Sequence, residues 1–396
     1  MPNRSSTKIL ISLALCLLLA ACSAGDAVRT VRIIATGDAA GAGVMAAEKA
    51  TRYVLNPKAL SWDLKQFKER LEAFRKAIGG VWGEKERQEP TPKRYVKYTR
   101  NYLSRASVNF DTGLVTVETL DPKDPQGSLK NAIVTTVLAP ADPRSLDLYS
   151  DKEIKLGDTP FLLGEVKDFD GKDIRWNWRA ERFADALMAR GITTRTVDGA
   201  KGKATAHTVS FRLIKDHLHI RARKYAGLVD QNAAKFKISQ NLIYAVIKTE
   251  SDFNPFAASS APAFGLMQIV PRSAGAEVSK YLTGKSGKPD KQFLFQPENN
   301  ILYGTAYLHL LDTRHLNKVT DPISREYCMI AAYNGGSGTV LRSFDKDRTR
   351  AVARINALTP KQVYEHLRTR VPFAETRRYL DKVVNSKKLF VGTGRS

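Results

Sequence analysis

The 396-residue chain has only three cysteines, Cys16, Cys22 and Cys328, and that scarcity excludes a disulfide-stapled scaffold. It has no long hydrophobic run. The one sustained apolar stretch, residues 9–20, is about twelve residues where a bilayer span needs roughly twenty. Acidic residues are in short supply, 40 Asp and Glu against 63 Lys and Arg, for a net charge of +23. So basic a chain is expected to be drawn to polyanions, peptidoglycan with its free peptide carboxylates among them; a solvated basic surface is the plain alternative. Residues 51–212 carry no glycine-rich phosphate loop, no cluster of His, Cys, Asp and Glu at metal-ligand spacing and no catalytic constellation, so chemistry is to be sought further along the chain.

Arg4 and Lys8 precede the apolar run as the charged end of a signal peptide does, and its length suits a signal-peptide core. Leu19-Ala20-Ala21-Cys22 resembles the bacterial lipobox, which implies removal of residues 1–21 and acylation of Cys22, palmitate included. An ordinary secretory signal that happens to contain a cysteine is the alternative. Ser23, in place of Asp, favours by the same resemblance the inner leaflet of the outer membrane of a Gram-negative bacterium. Processing would take away Arg4 and Lys8 and lower the net charge from +23 to +21. With Cys16 removed and Cys22 lipidated, Cys328 is the remaining thiol. It sits in the apolar run Tyr327-Cys328-Met329-Ile330 and reads as a small buried hydrophobe.

The fold class expected is α+β: a mixed α/β module followed by an all-α domain. Residues 22–50 read as a tether, rich in Ala and Gly, with a short strand over residues 31–35. Residues 51–213 form the first module, its role unassigned. Phe67, Leu71, Phe74 and Ile78 mark an amphipathic helix that Gly79-Gly80 should stop. Residues 84–94 read as a loop. From Tyr95 the period becomes two, and Asp111-Thr112-Gly113 turns a hairpin between Val108-Asn109-Phe110 and Leu114-Val115-Thr116-Val117. Helices are expected over 129–138 and 180–190, and strands over 161–166 and 207–214. Residues 214–396 show helical spacing over 219–236, 240–251, 298–313, 324–334, 360–368 and 375–386, with a polar loop over 283–292.

The chemistry gathers around one carboxylate. Ser239 is placed to cap a helix in which Ile243, Val246, Ile247 and Glu250 fall at i, i+3, i+4 and i+7. Glu250 therefore continues the apolar stripe of a helix that Asn254-Pro255 should end. Desolvation and the negative end of the helix dipole both raise its pKa, and a carboxylic acid kept protonated near neutral pH suits protonation of a leaving oxygen. A solvated glutamate at the edge of the stripe is the plain alternative. Three further runs stand downstream: Phe264-Gly265-Leu266-Met267-Gln268, Ala332-Tyr333-Asn334-Gly335-Gly336 and Glu375-Thr376-Arg377-Arg378-Tyr379.

Taken in this order, these runs resemble the lytic transglycosylase family, whose catalytic domain has a goose-type lysozyme-like fold; the likeness covers residues 220–390. It implies Glu250 as the catalytic acid/base. It also implies Ser259, Met267 and Gln268 along the cleft, Tyr333 and Asn334 facing the glycosidic bond and the acetamido group, and Glu375 and Tyr379 supporting that pair. Asp252, where serine or alanine is common, and Phe264 after Pro262-Ala263 depart from the pattern. The implied reaction is a lyase cleavage of the β-1,4 bond between N-acetylmuramic acid and N-acetylglucosamine in peptidoglycan, leaving 1,6-anhydromuramyl ends, with no metal and no cofactor.

A two-carboxylate glycosidase needs a second acid facing the bond. Asp252, two residues from Glu250, would point about 200° away if helical. The partners expected are peptidoglycan glycan strands and, through Cys22, the outer membrane; an exported chain does not meet nucleic acid. A water-using muramidase and a non-catalytic murein-binding lipoprotein are the alternative functions.

Overall fold

Phe67, Leu71, Phe74 and Ile78 lay one apolar stripe along helix α1 (Pro57–Trp82). The stripe continues to Trp82, so the helix runs through Gly79 and Gly80 instead of stopping there. Burial of Ile78 and Trp82, both fully buried, outweighs the roughly 1 kcal/mol that each helical glycine costs. Trp82 Nε1 donates to Tyr102 O at 2.7 Å, and the Arg105 guanidinium stands 3.7 Å over its ring. The computed structural model describes residues 57–259 and 263–391. The lipobox with Cys22, the tether and the strand expected over 31–35 lie outside the described residues.

Five antiparallel strands follow: β1 (Arg94–Thr99), β2 (Ser104–Asn109), β3 (Leu114–Thr119) and, after helices α2 (Pro125–Val137) and α3 (Asn177–Ala189), β4 (Thr193–Gly199) and β5 (Gly202–Arg212), in the order β1-β2-β3-β5-β4. The expected hairpin is β2–β3. Asn109 Oδ1 accepts from the N–H groups of Asp111 and Thr112 at 3.0 and 3.1 Å, and Gly113 takes φ 69° to close the turn. Alternation then sorts the side chains. Val96, Tyr98 and Val197 face α1, while Tyr95, Val108, Val115 and Val117 face α2 and α3.

The strand expected over 161–166 is absent. Phe161, Leu162, Glu165 and Val166 are all buried, but in a turn held by single bridges, with Gly164 at φ 83°. The apolar run reports burial beneath the sheet, not pairing. β4 escaped the sequence reading because it is an edge strand with one buried residue, Val197.

The remainder is helical: α4 (His217–Arg223), α5 (Ala226–Phe236), α6 (Gln240–Ser251), α7 (Ala276–Thr283), α8 (Lys291–Leu294), α9 (Pro297–Leu310), α10 (Pro322–Gly335), α11 (Ser337–Phe344), α12 (Arg348–Asn356), α13 (Pro360–Arg370) and α14 (Ala374–Lys387). The single helix expected over 219–236 is broken between α4 and α5, where Lys224 turns in to donate to Phe161 O and Glu165 Oε1, both at 2.7 Å. α6 lies against both α5 and α14, and α10 also packs on α14.

Sheet and helices share cores across their seam. Phe67 of α1 belongs to the helical core, edge-on to Phe264 at 5.8 Å, and Phe256 belongs to the sheet core, 5.5 Å from Tyr95. Polar contacts reinforce the seam. Asn254 Nδ2 donates to Pro92 O at 2.9 Å, and its Oδ1 accepts from Phe256 N at 3.0 Å. Asn254 is fully buried, so Asn254→Ala leaves an acceptor and a donor unpaired. The expected cost is about 1–3 kcal/mol in denaturant unfolding; a loss below about 0.5 kcal/mol would show that the seam does not depend on this amide.

Candidate active site

Glu250 occupies the last turn of α6, which spans Gln240–Ser251 as its spacing indicated. Ser239 sits at the N-cap position but makes no side-chain capping bond. At the other end Asp252 and Phe253 take φ of 50° and 61°, a left-handed stop that L-residues adopt at some cost. The compensation is ionic. The Asp252 carboxylate, 1% exposed, lies 2.9 Å from Lys248 Nζ and 2.7 Å from Lys93 Nζ. The departure from the family pattern at Asp252 thus ties α6 to the segment leading into β1.

A cavity of about 1060 Å³ opens beside this turn. Of the residues singled out in the sequence, Glu250, Ser259 and Gln268 line it from one side, and Tyr333, Asn334, Glu375 and Tyr379 from α10 and α14. Met267 does not. Its side chain is fully buried against Gly304, whose Cα leaves space that a Cβ would close to 2.2 Å from the sulfur. The expectation of Met267 as a substrate contact is corrected to a core role.

Met267 contributes through its backbone. Phe264-Gly265-Leu266-Met267-Gln268 is a tight turn closed by the Phe264–Ile269 bridge. Gly265, at φ 76°, leaves no room for a Cβ, which would stand 2.2 Å from Asn300 Nδ2 and 2.4 Å from Leu294 O. Asn300, buried in α9, accepts from Met267 N at 2.7 Å and donates to Phe264 O and Leu294 O at 2.8 and 2.7 Å. Ser251 Oγ lies 2.7 Å from Leu266 O and joins the turn to α6. Gln268 Nε2 donates back to Ala257 O and Gly265 O. Tyr333 Oη donates to Met267 O at 2.9 Å.

Burial pushes the Glu250 carboxyl up to about 7 from its ordinary 4.5. The Tyr379 hydroxyl opposes that rise, Glu375 adds to it, and Lys93 opposes it more weakly. The Tyr379 hydroxyl is buried and makes no hydrogen bond of good geometry. Its ring lies parallel to that of Tyr333, centroids 6.5 Å apart. Both phenols are held well above their usual pKa, by burial first and by Glu250 second, and so stay protonated donors.

Sequence reasoning missed Thr376, Asn300 and the residues that reach the cavity from before β1. Thr376 Oγ1 donates to Asn334 Oδ1 at 2.7 Å and packs on Gly335, which fixes the orientation of the Asn334 amide. Thr91, Pro92 and Lys93 also form part of the cavity wall. A threonine inside the quoted run Glu375-Thr376-Arg377 and an asparagine in an otherwise apolar helix were the available signals. Cys328 is fully buried, and burial pushes its thiol up to about 12. Among the described residues no group of three or more His, Cys, Asp or Glu is placed to hold a metal ion, and no helix is long and apolar enough to cross a membrane.

Two families describe adjoining stretches of the chain. Residues 60–224 match the membrane-bound lytic murein transglycosylase C N-terminal domain, and residues 227–356 match the transglycosylase SLT domain. The membrane-bound lytic murein transglycosylase C of Klebsiella pneumoniae is 46% identical over 80% of this chain and 87% of its own. That of Serratia proteamaculans is 44% identical over 84% and 92%. Among solved structures, the 70 kDa soluble lytic transglycosylase from Escherichia coli is 28% identical over 42% of this chain. That match spans 24% of its own length at a TM-score of 0.32, and none of the assignment rests on it.

The raised pKa of Glu250 has a consequence for stability. Below about pH 4.5 folded and unfolded chains both hold the proton. As the pH rises through about 7 the folded state must keep a proton the solvent would take, or bury a charge, so stability is lost across that window. Glu250→Gln removes the dependence. In denaturant titrations at about pH 8 the variant is expected to be more stable than the wild type by about 1–3 kcal/mol, with the gain gone at about pH 4.

Proposed function

The chain belongs to the membrane-bound lytic murein transglycosylase C family and is a peptidoglycan lytic transglycosylase, and from that premise we propose that Glu250 is its single acid/base. The observation that carries this assignment is a carboxyl pushed up to about 7, on the wall of a cavity it shares with Tyr333, Asn334 and Tyr379. At neutral pH a large fraction of the enzyme holds the proton that departure of a sugar oxygen requires.

In this reading Glu250 gives its proton to the β-1,4 oxygen between N-acetylmuramic acid and N-acetylglucosamine, and the C1–O bond breaks. The muramyl acetamido oxygen stabilises the charge developing at C1. The amide nitrogen of Asn334, held by Thr376, is available to orient that acetamido group. Glu250, now a carboxylate, takes the proton of the C6 hydroxyl as O6 bonds to C1. The acid is regenerated, a 1,6-anhydromuramyl end is formed and no water is consumed. While Glu250 is charged, the buried Tyr379 hydroxyl is an uncommitted donor, so the group that eases the pKa down in the free enzyme steadies the carboxylate in mid-reaction.

A muramidase would need a second carboxylate to activate water. Asp252 is engaged by two lysines. Glu375 lines the cavity in the first turn of α14, and the reading gives it a supporting part. Ser259 and Gln268 shape the cleft wall. The finer placement is also proposed: acylation at Cys22, supported by Leu19-Ala20-Ala21-Cys22, holds the enzyme at the inner leaflet of the outer membrane, where it meets the glycan strands.

Digestion of purified sacculi by the full chain in detergent, read by mass spectrometry, tests the mechanism. Anhydromuropeptides, about 18 Da lighter than the hydrolytic products, are expected. Glu250→Gln should lower their formation about a thousandfold or more while binding to sacculi persists. The rate should fall as the pH rises through about 7, where the acid is lost. Wild-type activity in Glu250→Gln, or reducing-end products from the wild type, would overturn the single-acid reading.

Thr376→Val keeps the side-chain shape and removes the hydroxyl that holds Asn334. Turnover of sacculi is expected to drop about ten- to hundredfold with an unchanged circular dichroism spectrum. Retention of full turnover would remove Asn334 orientation from the mechanism.

A further inference from the structure

One face of α14 carries Glu375, Arg378, Tyr379 and Lys382, at i, i+3, i+4 and i+7, and all four line the cavity. Glu375 and Tyr379 are accounted for by Glu250. Arg378 and Lys382 are not. Both are exposed, and neither makes a hydrogen bond or ion pair with any described residue. The contrast with their surroundings is sharp. Lys93 on the facing wall is held by Asp252, and Asp252 also takes Lys248; on the next turns of the same helix Asp381 takes Arg368, and Lys387 takes Glu326.

Like charges at i, i+4 repel on a helix surface. Neither residue stands in the last turn of α14, where the helix dipole would favour a cation. Their mutual repulsion opposes helix stability, and although Glu375 stands on the same face one turn before Arg378, neither cation is drawn into an ion pair with it. Lys382 lies three residues, about 4.5 Å of helical rise, beyond Tyr379, and so about one turn from the reacting bond. The muramyl unit of peptidoglycan carries a peptide stem with free carboxylates, and a stem on the unit being cut projects a few ångströms from that bond.

We propose that Arg378 and Lys382 form an anion subsite for the peptide-stem carboxylates of the glycan being cleaved, so that the enzyme selects strands whose stems are present and charged. This rests on the transglycosylase reading of the cavity. Arg378 supplies a planar fork suited to two-point contact with a carboxylate, and Lys382 a point charge beside it. Ion pairing at an exposed site is screened by salt, so the selection weakens as ionic strength rises.

The test compares two substrates made from one preparation: native stem-bearing strands, and the same strands after carbodiimide coupling to methylamine, which turns each carboxylate into a neutral amide. The full chain in detergent is expected to show a kcat/KM about tenfold higher on the native strands. Arg378→Gln with Lys382→Gln should lower the native value about tenfold, through KM, and the amidated value less than about threefold. Arg378→Lys should keep most of the preference. Equal losses on both substrates, or no loss on native strands, would overturn the subsite. Both positions are exposed, so a shared unfolding midpoint excludes a folding defect, and each single variant gives an independent reading. Absence of anhydro products from both substrates with the wild-type enzyme would instead bring down the transglycosylase reading, and this inference with it.

Discussion

The carboxylate of Asp252 is the charge on which the site is built. A buried carboxylate is costly unless it is paired, and here it is paired twice, with a lysine from its own helix and a lysine from the segment before the sheet. That arrangement requires the left-handed backbone that ends α6 one turn past the stripe residue Ile247. It therefore fixes where Glu250 stands relative to the cavity. It also brings Pro92 and Lys93 into the cavity wall, so the segment leading into the sheet borders the same cavity as Glu250.

Around that anchor the environment of Glu250 is a balance of opposing effects. Burial makes the charge costly and the Glu375 carboxylate adds to the cost, while the Tyr379 hydroxyl and the Lys93 ammonium reduce it. The outcome is a carboxyl poised near neutrality, which is what the proposed acid/base role calls for. The two tyrosines are polar at one end and packed at the other, which lets them border the acid without admitting water from behind. Rigidity comes from below the site. Asn300 fixes the Gly265–Gln268 turn through its main chain, and that turn in turn receives Tyr333.

The sequence made the helical half and the acid legible because both obey a period: α6 and the β2–β3 hairpin repeat their burial every three to four or every two residues. What it hid has no period. β4 buries one residue, and the buried segment from Phe161 to Val166 looks like a strand because consecutive apolar residues are shared by strands and packed turns. Gly79-Gly80 looked like a stop because local propensity is visible and the pocket for Trp82 is not. Asp252 was visible as an oddity, but its meaning depends on Lys93, far away in the chain. Met267 and Gln268 adjoin in one motif and part company in space, since a tight turn sends successive side chains to opposite sides.

The exchange of Phe67 and Phe256 across the seam bears on the order in which the protein can assemble. Phe67, near the start of the described chain, rests on Phe264, and the sheet core is closed by Phe256 from beyond the helix that carries the acid. Neither core is complete until the other half has been supplied. The sheet, although translated first, can only wait for its lid, so closure of both cores is a late event that involves most of the chain. Contacts this distant in sequence fold slowly.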